Sequence, residues 1–442
     1  MGLARLIGLS SRPEGRTERE GNRAVENTVS LCRHLLSERG EDGRLAGEAF
    51  QAYRALEPAE RTIFFDWLAR EFSPDPEEVG RAADSYRKEP SALHLTRLLR
   101  VVEPLRQELF RRLNLAPGGT RMLVELRRQV LAGLGPHPHW VTIEDDLAHL
   151  LTSWFNRGFL TLRRIDWHTP AIVLEKLIEY EAVHQIQGWR DLRRRLEADR
   201  RCYAFFHPAL PDEPIIFIEV ALVHGMSARV QPLLDPDSKV VSPEGANCAM
   251  FYSITNCQEG LRGIPFGNFL IRTVADELGR EFPRLRTFAT VSPIPGFVNW
   301  LSAQARKPEP GLAEARIAAI LETLQTPAWF TNRQITDDLQ VELTQLCAYY
   351  LLHAKHGKEP LDAVARFHLR NGARMERVNW LGDTSTAGIQ RSAGLMVNYV
   401  YRPDETERNH DRYTRENRIT ASRYVERLAR QSVLARGGIA RV

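Results

Sequence analysis

Several short stretches of the chain carry side chains suited to acid–base chemistry. Ser292 sits in VSPIPGF, where prolines at 293 and 295 fix the backbone and Gly296 relaxes it. A rigid loop at a strand end is where ligands bind in open α/β sheets. The segment is not GxSxG, so it does not read as a nucleophile elbow. His368 lies in ARFHLRNGARMERVNWLGD, and an imidazole can give or take a proton near neutral pH. Tyr399 and Tyr401 stand two apart in a strand-like run and therefore share a face. Taken singly, each has a plainer structural reading: a Ser–Pro turn, a core or surface histidine, or core tyrosines with paired hydroxyls.

A different kind of chemistry is suggested by the loop Gln258–Asn268, within CQEGLRGIPFGN. Gly260, Gly263 and Gly267 let the backbone turn tightly and approach a ligand. The helix expected next would turn free N–H groups and its positive dipole end toward the loop, which suits a pyrophosphate. Arg262 adds a cation. The spacing matches neither GxGxxG nor GxxxxGK[ST], so a glycine-rich turn without a ligand stands as the alternative. His353 and His356 in HAKH have no third ligand nearby in sequence, and no metal site is expected there.

The elements that must position these residues follow from periodicity. Residues 1–153 read as helical. Met122–Leu134 places Leu123, Leu126, Val130, Leu131 and Leu134 on one stripe. The stretches 45–72 and 92–114 look similar, with breaks at SPDP (73–76), APGG (116–119) and GPHPH (135–139). From residue 154 the pattern is mixed. Helices are expected at 171–182 and 190–199, and strands at 215–222, 249–254 and 286–291. A helix over 269–281 between the last two strands implies a βαβ unit. Helices at about 312–325 and 339–354 and a late strand over 395–401 complete the reading. The expected class is α+β: an all-α bundle (1–153), for packing or oligomerisation, followed by a mixed α/β domain (154–442).

Composition sets outer limits. The 442 residues are 43% hydrophobic and 26% charged, which excludes a disordered chain or a coiled-coil rod. The net charge of +4 is interspersed, and no basic stripe with stacking aromatics appears, so nucleic acid is not an expected partner. Five cysteines without a CxxC pair argue against a disulfide scaffold or zinc ribbon and fit a reducing compartment. No run reaches the roughly 18 apolar residues of a membrane span. A signal-peptide core and a myristoylation serine or threonine are not seen at the start.

The strings FYSI (251–254), QEGLRGIPFGNFLI (258–271), EFPRL (281–285), SPIPGF (292–297), FHLRNGA (367–373), NWLGD (379–383) and GLMVNYVY (394–401), with RRCYAFFHPALPDEPIIFIEVAL (200–222) before them, resemble malonyl-CoA decarboxylases. The resemblance runs in order through most of 165–401. It implies a helical oligomerisation domain before a catalytic domain of acetyltransferase (GNAT) type. It implies conversion of malonyl-CoA to acetyl-CoA and CO2 without metal or organic cofactor, in a homotetramer built as a dimer of dimers. Carried over, the family's catalytic serine, with proton-acceptor character, and its histidine fall on Ser292 and His368; proton donation is assigned to His368. A site tyrosine falls on Tyr401. The CoA loop falls on Arg262, Gly263, Ile264, Pro265, Phe266, Gly267 and Asn268, led in by Gln258 and Gly260.

The chain departs from the pattern in three places. Some relatives carry a glutamate where this sequence has Pro265. The acetyltransferase loop pattern Q/RxxGxG/A is met by Gln258 and Gly263 at its ends, but Leu261 holds the middle glycine position. The terminal ARV is not the peroxisomal tripeptide of animal members, which points to a bacterial cytoplasmic enzyme. Malonate catabolism and control of malonyl-CoA levels both fit. An acyltransferase of the same fold and a non-catalytic acyl-CoA sensor are the rival readings.

Overall fold

The computed structural model describes residues 18–37, 43–266, 270–306 and 311–435. The described chain divides into two units. The first holds the residues up to Asn156 together with Pro208–Leu210 and Gln258–Ile264; the second holds the rest.

The first unit is helical: α1 (Glu18–Ser37), α2 (Gly43–Arg54), α3 (Pro58–Glu71), α4 (Pro76–Lys88), α5 (Ala92–Val102), α6 (Leu105–Leu113), α7 (Gly119–Gly133) and α8 (Val141–Trp154). Prolines decide its punctuation. The expected run 45–72 is two helices because Pro58 starts α3, and 92–114 is two because Pro104 precedes α6. In SPDP, the Asp75 side chain accepts from Glu77 N–H at 3.0 Å and caps α4. Leu109, Phe110, Leu123, Val130, Leu147 and Leu151 form a core with no solvent exposure.

An ion pair sits inside that core. The Arg106 guanidinium donates to Asp146 at 2.6 Å and to the carbonyls of Leu68 and Thr142 at 2.9 and 3.1 Å. With its donors satisfied by α3 and α8, it ties α6 between them. A buried charge is tolerated only under such conditions.

The second unit is built on one mixed sheet. Its strands are β1 (Thr161–Ile165), β2 (Arg200–His207), β3 (Leu210–Val223), β4 (Cys248–Asn256), β5 (Thr287–Thr290), β6 (Ser292–Pro293), β9 (Arg374–Asn379) and β10 (Met396–Tyr401). A separate small ribbon joins β7 (Lys355–His356) to β8 (Glu359–Pro360). The order is β1-β2-β3-β4-β5-β10-β6, with β9 also on β10. Helices α9 (Ala171–Tyr180), α10 (Trp189–Arg195), α11 (Gln231–Leu234), α12 (Leu270–Glu281), α13 (Phe297–Ala305), α14 (Leu312–Leu324), α15 (Arg333–His353), α16 (Ala363–Arg370), α17 (Thr386–Ser392), α18 (Thr406–Glu416) and α19 (Arg423–Gln431) surround it. β4 and β5 pair in parallel, through α12, as the βαβ reading requires.

Apolar residues pack on both faces. Leu177, Phe206 and Phe217 belong to one cluster; Met250, Tyr252 and Met396 belong to another. The strands β1, β2 and β9 escape sequence reading because they are short or arginine-rich. Pairing with β2, β1 and β10 makes them strands. The helical N-terminal part and the mixed sheet after it give the α+β class expected.

A polar cluster fixes β4. The Glu181 carboxylate accepts from Ser253 Oγ at 2.7 Å and from the N–H groups of Val183 and His184 at 2.7 and 2.8 Å. Arg195, fully buried, pairs with Asp191 and with Glu219 on β3 at 2.9 and 2.8 Å. Burial nonetheless outweighs Arg195 and pushes the Glu219 carboxyl up to about 8. The β3–β4 register shifts there, leaving Tyr252 as the extra residue of a bulge.

Among the described residues, no helix is long and apolar enough to cross a membrane.

Candidate functional site

Ser292, His368, Tyr399 and Tyr401 converge in the second unit. Ser292 opens β6, which pairs with β10 at Val397. It follows β5 by two residues, and β5 also pairs with β10, at Val400–Ala289 and Tyr401–Phe288. The serine and both tyrosines are thus set by adjacent strands. His368 lies in the last turn of α16, whose start is capped by Asp362 accepting from Ala365 N–H at 2.8 Å. The helix stops at Asn371–Gly372, where Gly372 takes φ +79.

The resulting chain of contacts is continuous. His368 Nε2 lies 2.9 Å from Ser292 Oγ, and its Nδ1 lies 2.7 Å from the Tyr401 hydroxyl. The Tyr399 ring stacks on the imidazole, 4.4 Å between centroids. Ser292 Oγ also donates to Thr290 Oγ1 at 2.8 Å. All five are buried, His368 being 3% exposed. Loss of solvation lowers the His368 pKa to about 3, so the imidazole is neutral at physiological pH. The same cause raises the Tyr401 phenol well above its usual range.

The edge of β4 opens beside this chain. Its parallel pairing with β5 ends at Phe251–Thr290, while β4 runs on to Asn256. The Phe251 carbonyl accepts from Val291 N–H at 3.1 Å, next to Ser292.

Gly296 has an explanation different from the one sequence suggests. Its φ of −96 is open to any residue, so it relaxes nothing. A Cβ there would lie 2.6 Å from the Tyr350 hydroxyl and force that buried ring to shift, so the close approach favours glycine.

The glycine loop is accounted for separately. Gln258–Ile264 belongs to the first unit, where a short turn Glu259–Leu261 packs on α7. A Cβ on Gly260 would sit 2.0 Å from the Val124 carbonyl oxygen, so packing on α7 alone demands glycine there. Arg127 donates to the carbonyls of Gly260 and Arg262 at 2.7 and 3.0 Å. Gly263 takes φ +82 in open space and supplies the turn. Arg262, Gly263 and Pro265 are exposed; Ile264 and Phe266 are buried. Gly267 and Asn268 lie outside the described residues.

Other candidate chemistry is limited. Cys32, Cys202, Cys248, Cys257 and Cys347 are free and buried, and burial pushes the Cys32 and Cys248 thiols up to about 12, far from nucleophilic thiolates. Among the described residues, Asp66, His137 and His139 form the one group with metal-ligand atoms within 4.8 Å of one another. Asp66 there already lies 2.7 Å from His139 Nε2 and accepts from Trp140 Nε1 at 2.8 Å, while the His137 ring stacks on Trp140, so hydrogen bonding and stacking account for the group. His353 and His356 join no such group. Sequence reasoning passed over Thr290 and Asn398, both buried here. The available signal was that Thr290 precedes Ser292 by two, on the same face of an extended segment.

The fold defines a two-part α+β protein, and its sheet carries a buried hydroxyl–imidazole–phenol chain, the equipment of an acid–base enzyme. Residues 158–437 match the family model of the malonyl-CoA decarboxylase C-terminal domain, and residues 72–155 match that of the N-terminal domain. The mitochondrial malonyl-CoA decarboxylase of Anser anser anser is 36% identical over 415 residues, 86% of this chain and 82% of that protein. The crystal structure of malonyl-CoA decarboxylase from Rhodopseudomonas palustris superposes with TM-score 0.87 at 48% identity, covering 91% of this chain and 99% of the other. That from Agrobacterium vitis gives 0.85 at 44%, covering 91% and 99%. The chain belongs to the malonyl-CoA decarboxylase family, whose reaction is that of a carboxy-lyase.

Proposed function

We propose that this chain converts malonyl-CoA to acetyl-CoA and CO2, with Ser292, His368 and Tyr401 as the reacting centre. The observation that carries the assignment is the continuous chain from the Tyr401 hydroxyl through His368 to Ser292 Oγ. The substrate carboxylate is β to a thioester carbonyl. When the C–CO2 bond breaks, its electron pair enters that carbonyl and forms a thioester enolate, so the thioester is the electron sink. The enolate then takes one proton at C2. The site must stabilise the oxyanion and deliver that proton.

In this reading Ser292 hydrogen-bonds the malonyl headgroup and His368 is the proton source. His368 is buried with Nε2 on Ser292, so its proton reaches C2 by way of Ser292 Oγ: the serine gives its proton to carbon and takes one from Nε2, while Nδ1 takes the Tyr401 hydroxyl proton, so the negative charge of the enolate ends on the Tyr401 oxygen. Solvent restores the proton consumed. Backbone N–H groups of β4 near Phe251–Ile254, where pairing with β5 ends, suit the thioester oxygen. The loop Gln258–Asn268 is assigned to the CoA moiety, and the exposed Arg262 supports that role.

Turnover of malonyl-CoA in D2O tests the reaction. Acetyl-CoA with one deuterium in the methyl group supports it. Absence of acetyl-CoA from a protein that binds malonyl-CoA favours the sensor reading, and CoA released from acetyl-CoA only in the presence of amines favours the acyltransferase.

The helical part, residues 1–153, is assigned to self-association into a homotetramer, with catalysis assigned to 154–442. Supporting this, α5 packs on α4 and buries none of its residues, leaving Leu93 77% and Leu99 63% exposed. Such a face is costly in water unless covered. Light scattering on L93E/L99E tests it: a smaller assembly than wild type supports the assignment, and an unchanged mass refutes it. A bacterial cytoplasmic setting completes the proposal.

A further inference from the structure

We propose that Thr290 is a positioning residue that sets the direction of the proton chain, fixing His368 as the Nε2–H tautomer with Nδ1 as acceptor. The proposal rests on the reading of Ser292 and His368 as the acid pair. Thr290 is 1% exposed and ends β5. Its Oγ1 accepts the Tyr399 N–H at 3.2 Å, and its carbonyl accepts Asn398 Nδ2 at 2.6 Å, so β10 grips the residue from two sides. Asn398 is held in turn: its Oδ1 accepts from Asn379 Nδ2 at 2.9 Å and Arg377 Nε at 3.1 Å. The threonine oxygen therefore has a fixed location.

A hydroxyl has one proton, and this decides the rest. Ser292 Oγ donates to Thr290 Oγ1 at 2.8 Å, and the second lone pair of that oxygen takes the Tyr399 N–H. Having spent its proton there, Ser292 faces His368 Nε2 at 2.9 Å as an acceptor, and Nε2 must carry hydrogen. A neutral imidazole then has a bare Nδ1, which accepts from the Tyr401 hydroxyl at 2.7 Å. The Tyr401 and His368 protons both point toward Ser292. When substrate enters, Ser292 has only to swing its O–H from Thr290 to C2, with Nε2–H already aimed at the oxygen left behind. Without Thr290 as acceptor, the serine proton turns to Nε2, the tautomer inverts, and the chain points away from substrate.

The test combines nitrogen-15 NMR of labelled histidine with kinetics. Wild-type protein is expected to show His368 as the Nε2–H tautomer. Thr290→Val, close in volume, is expected to show Nδ1–H, with kcat reduced about tenfold, the worth of one hydrogen bond, and KM unchanged. Thr290→Ser is expected to restore both readouts. An Nδ1–H tautomer in the wild type overturns the proposal, and decides it alone should Thr290→Val fail to fold. A Thr290→Val protein with unchanged tautomer and kcat overturns it also. Full activity in Ser292→Ala and His368→Ala removes the underlying reading instead. Loss in those two with no change in Thr290→Val removes only the role of Thr290.

Discussion

The hydroxyl of Tyr401 lies 2.7 Å from Nδ1 of His368, and neither group has meaningful access to water. The two residues come from elements 33 positions apart, a strand and a helix, yet meet in hydrogen-bonding geometry. Tyr401 leaves the imidazole one free function, on Nε2, and that function faces Ser292. Tyr401→Phe keeps the ring and removes the O–H. The expected result is a fall in kcat of about five- to tenfold with little change in KM, measured by steady-state release of acetyl-CoA. A drop in KM-dependent terms alone would place Tyr401 in substrate binding rather than in the proton chain.

Burial of His368 makes a direct statement about pH. Its pKa is lowered to about 3 by desolvation, so the folded protein holds it neutral where an unfolded chain would protonate it near 6.5. Between those values the unfolded state binds the extra proton, so this residue's contribution to stability falls as pH drops from about 6.5 toward 3. Its ring-proton NMR signals should stay constant from pH 5 to 8. A midpoint near 6.5 would mean that the imidazole is solvated.

The two loop glycines should separate. At Gly260 an added Cβ would meet the Val124 carbonyl oxygen at 2.0 Å, whereas Gly263 faces open space at φ +82. Gly260→Ala is therefore expected to cost several kcal/mol of stability through displaced backbone and to lower the melting temperature strongly. Gly263→Ala is expected to cost about 1–2 kcal/mol of backbone strain. Thermal denaturation of both variants checks the order, and equal losses would contradict the packing of this turn on α7.

In the first unit, Asp146→Ala should strand the Arg106 guanidinium, 2% exposed, without its carboxylate. The expected loss is about 3–5 kcal/mol in urea denaturation. Replacing both partners with apolar residues of similar volume should recover most of it, because no charge then remains buried. A double variant as unstable as the single one would show that the pair contributes more than mutual neutralisation.

Much of the fold can be read from the chain because its signals are local. The stripe Leu123–Leu134 appears as α7, and AMFYSI, the helix after it and RTFATV appear as a parallel βαβ unit. RMERVN gave no such signal; its strand exists because β10 lies beside it. The site was legible as separate parts. Ser292, His368 and Tyr401 could each be singled out by residue type and by family resemblance, but their contacts depend on strand order, which no local pattern encodes. Gly296 shows the limit most plainly. Its sequence context suggested backbone freedom, while the reason for it is a tyrosine 54 positions later, whose hydroxyl occupies the space of a side chain. Thr290 was hidden for the converse reason, since a threonine in a strand is ordinary until its neighbours are known.

The most direct test of the central claim compares wild type with Ser292→Ala and His368→Ala on malonyl-CoA, following acetyl-CoA and CO2 by mass spectrometry and substrate binding by calorimetry. The account predicts equimolar acetyl-CoA and CO2 from the wild type, and a loss of about 10²–10³ in kcat in each variant with binding retained. Variants that turn over malonyl-CoA at the wild-type rate would contradict it.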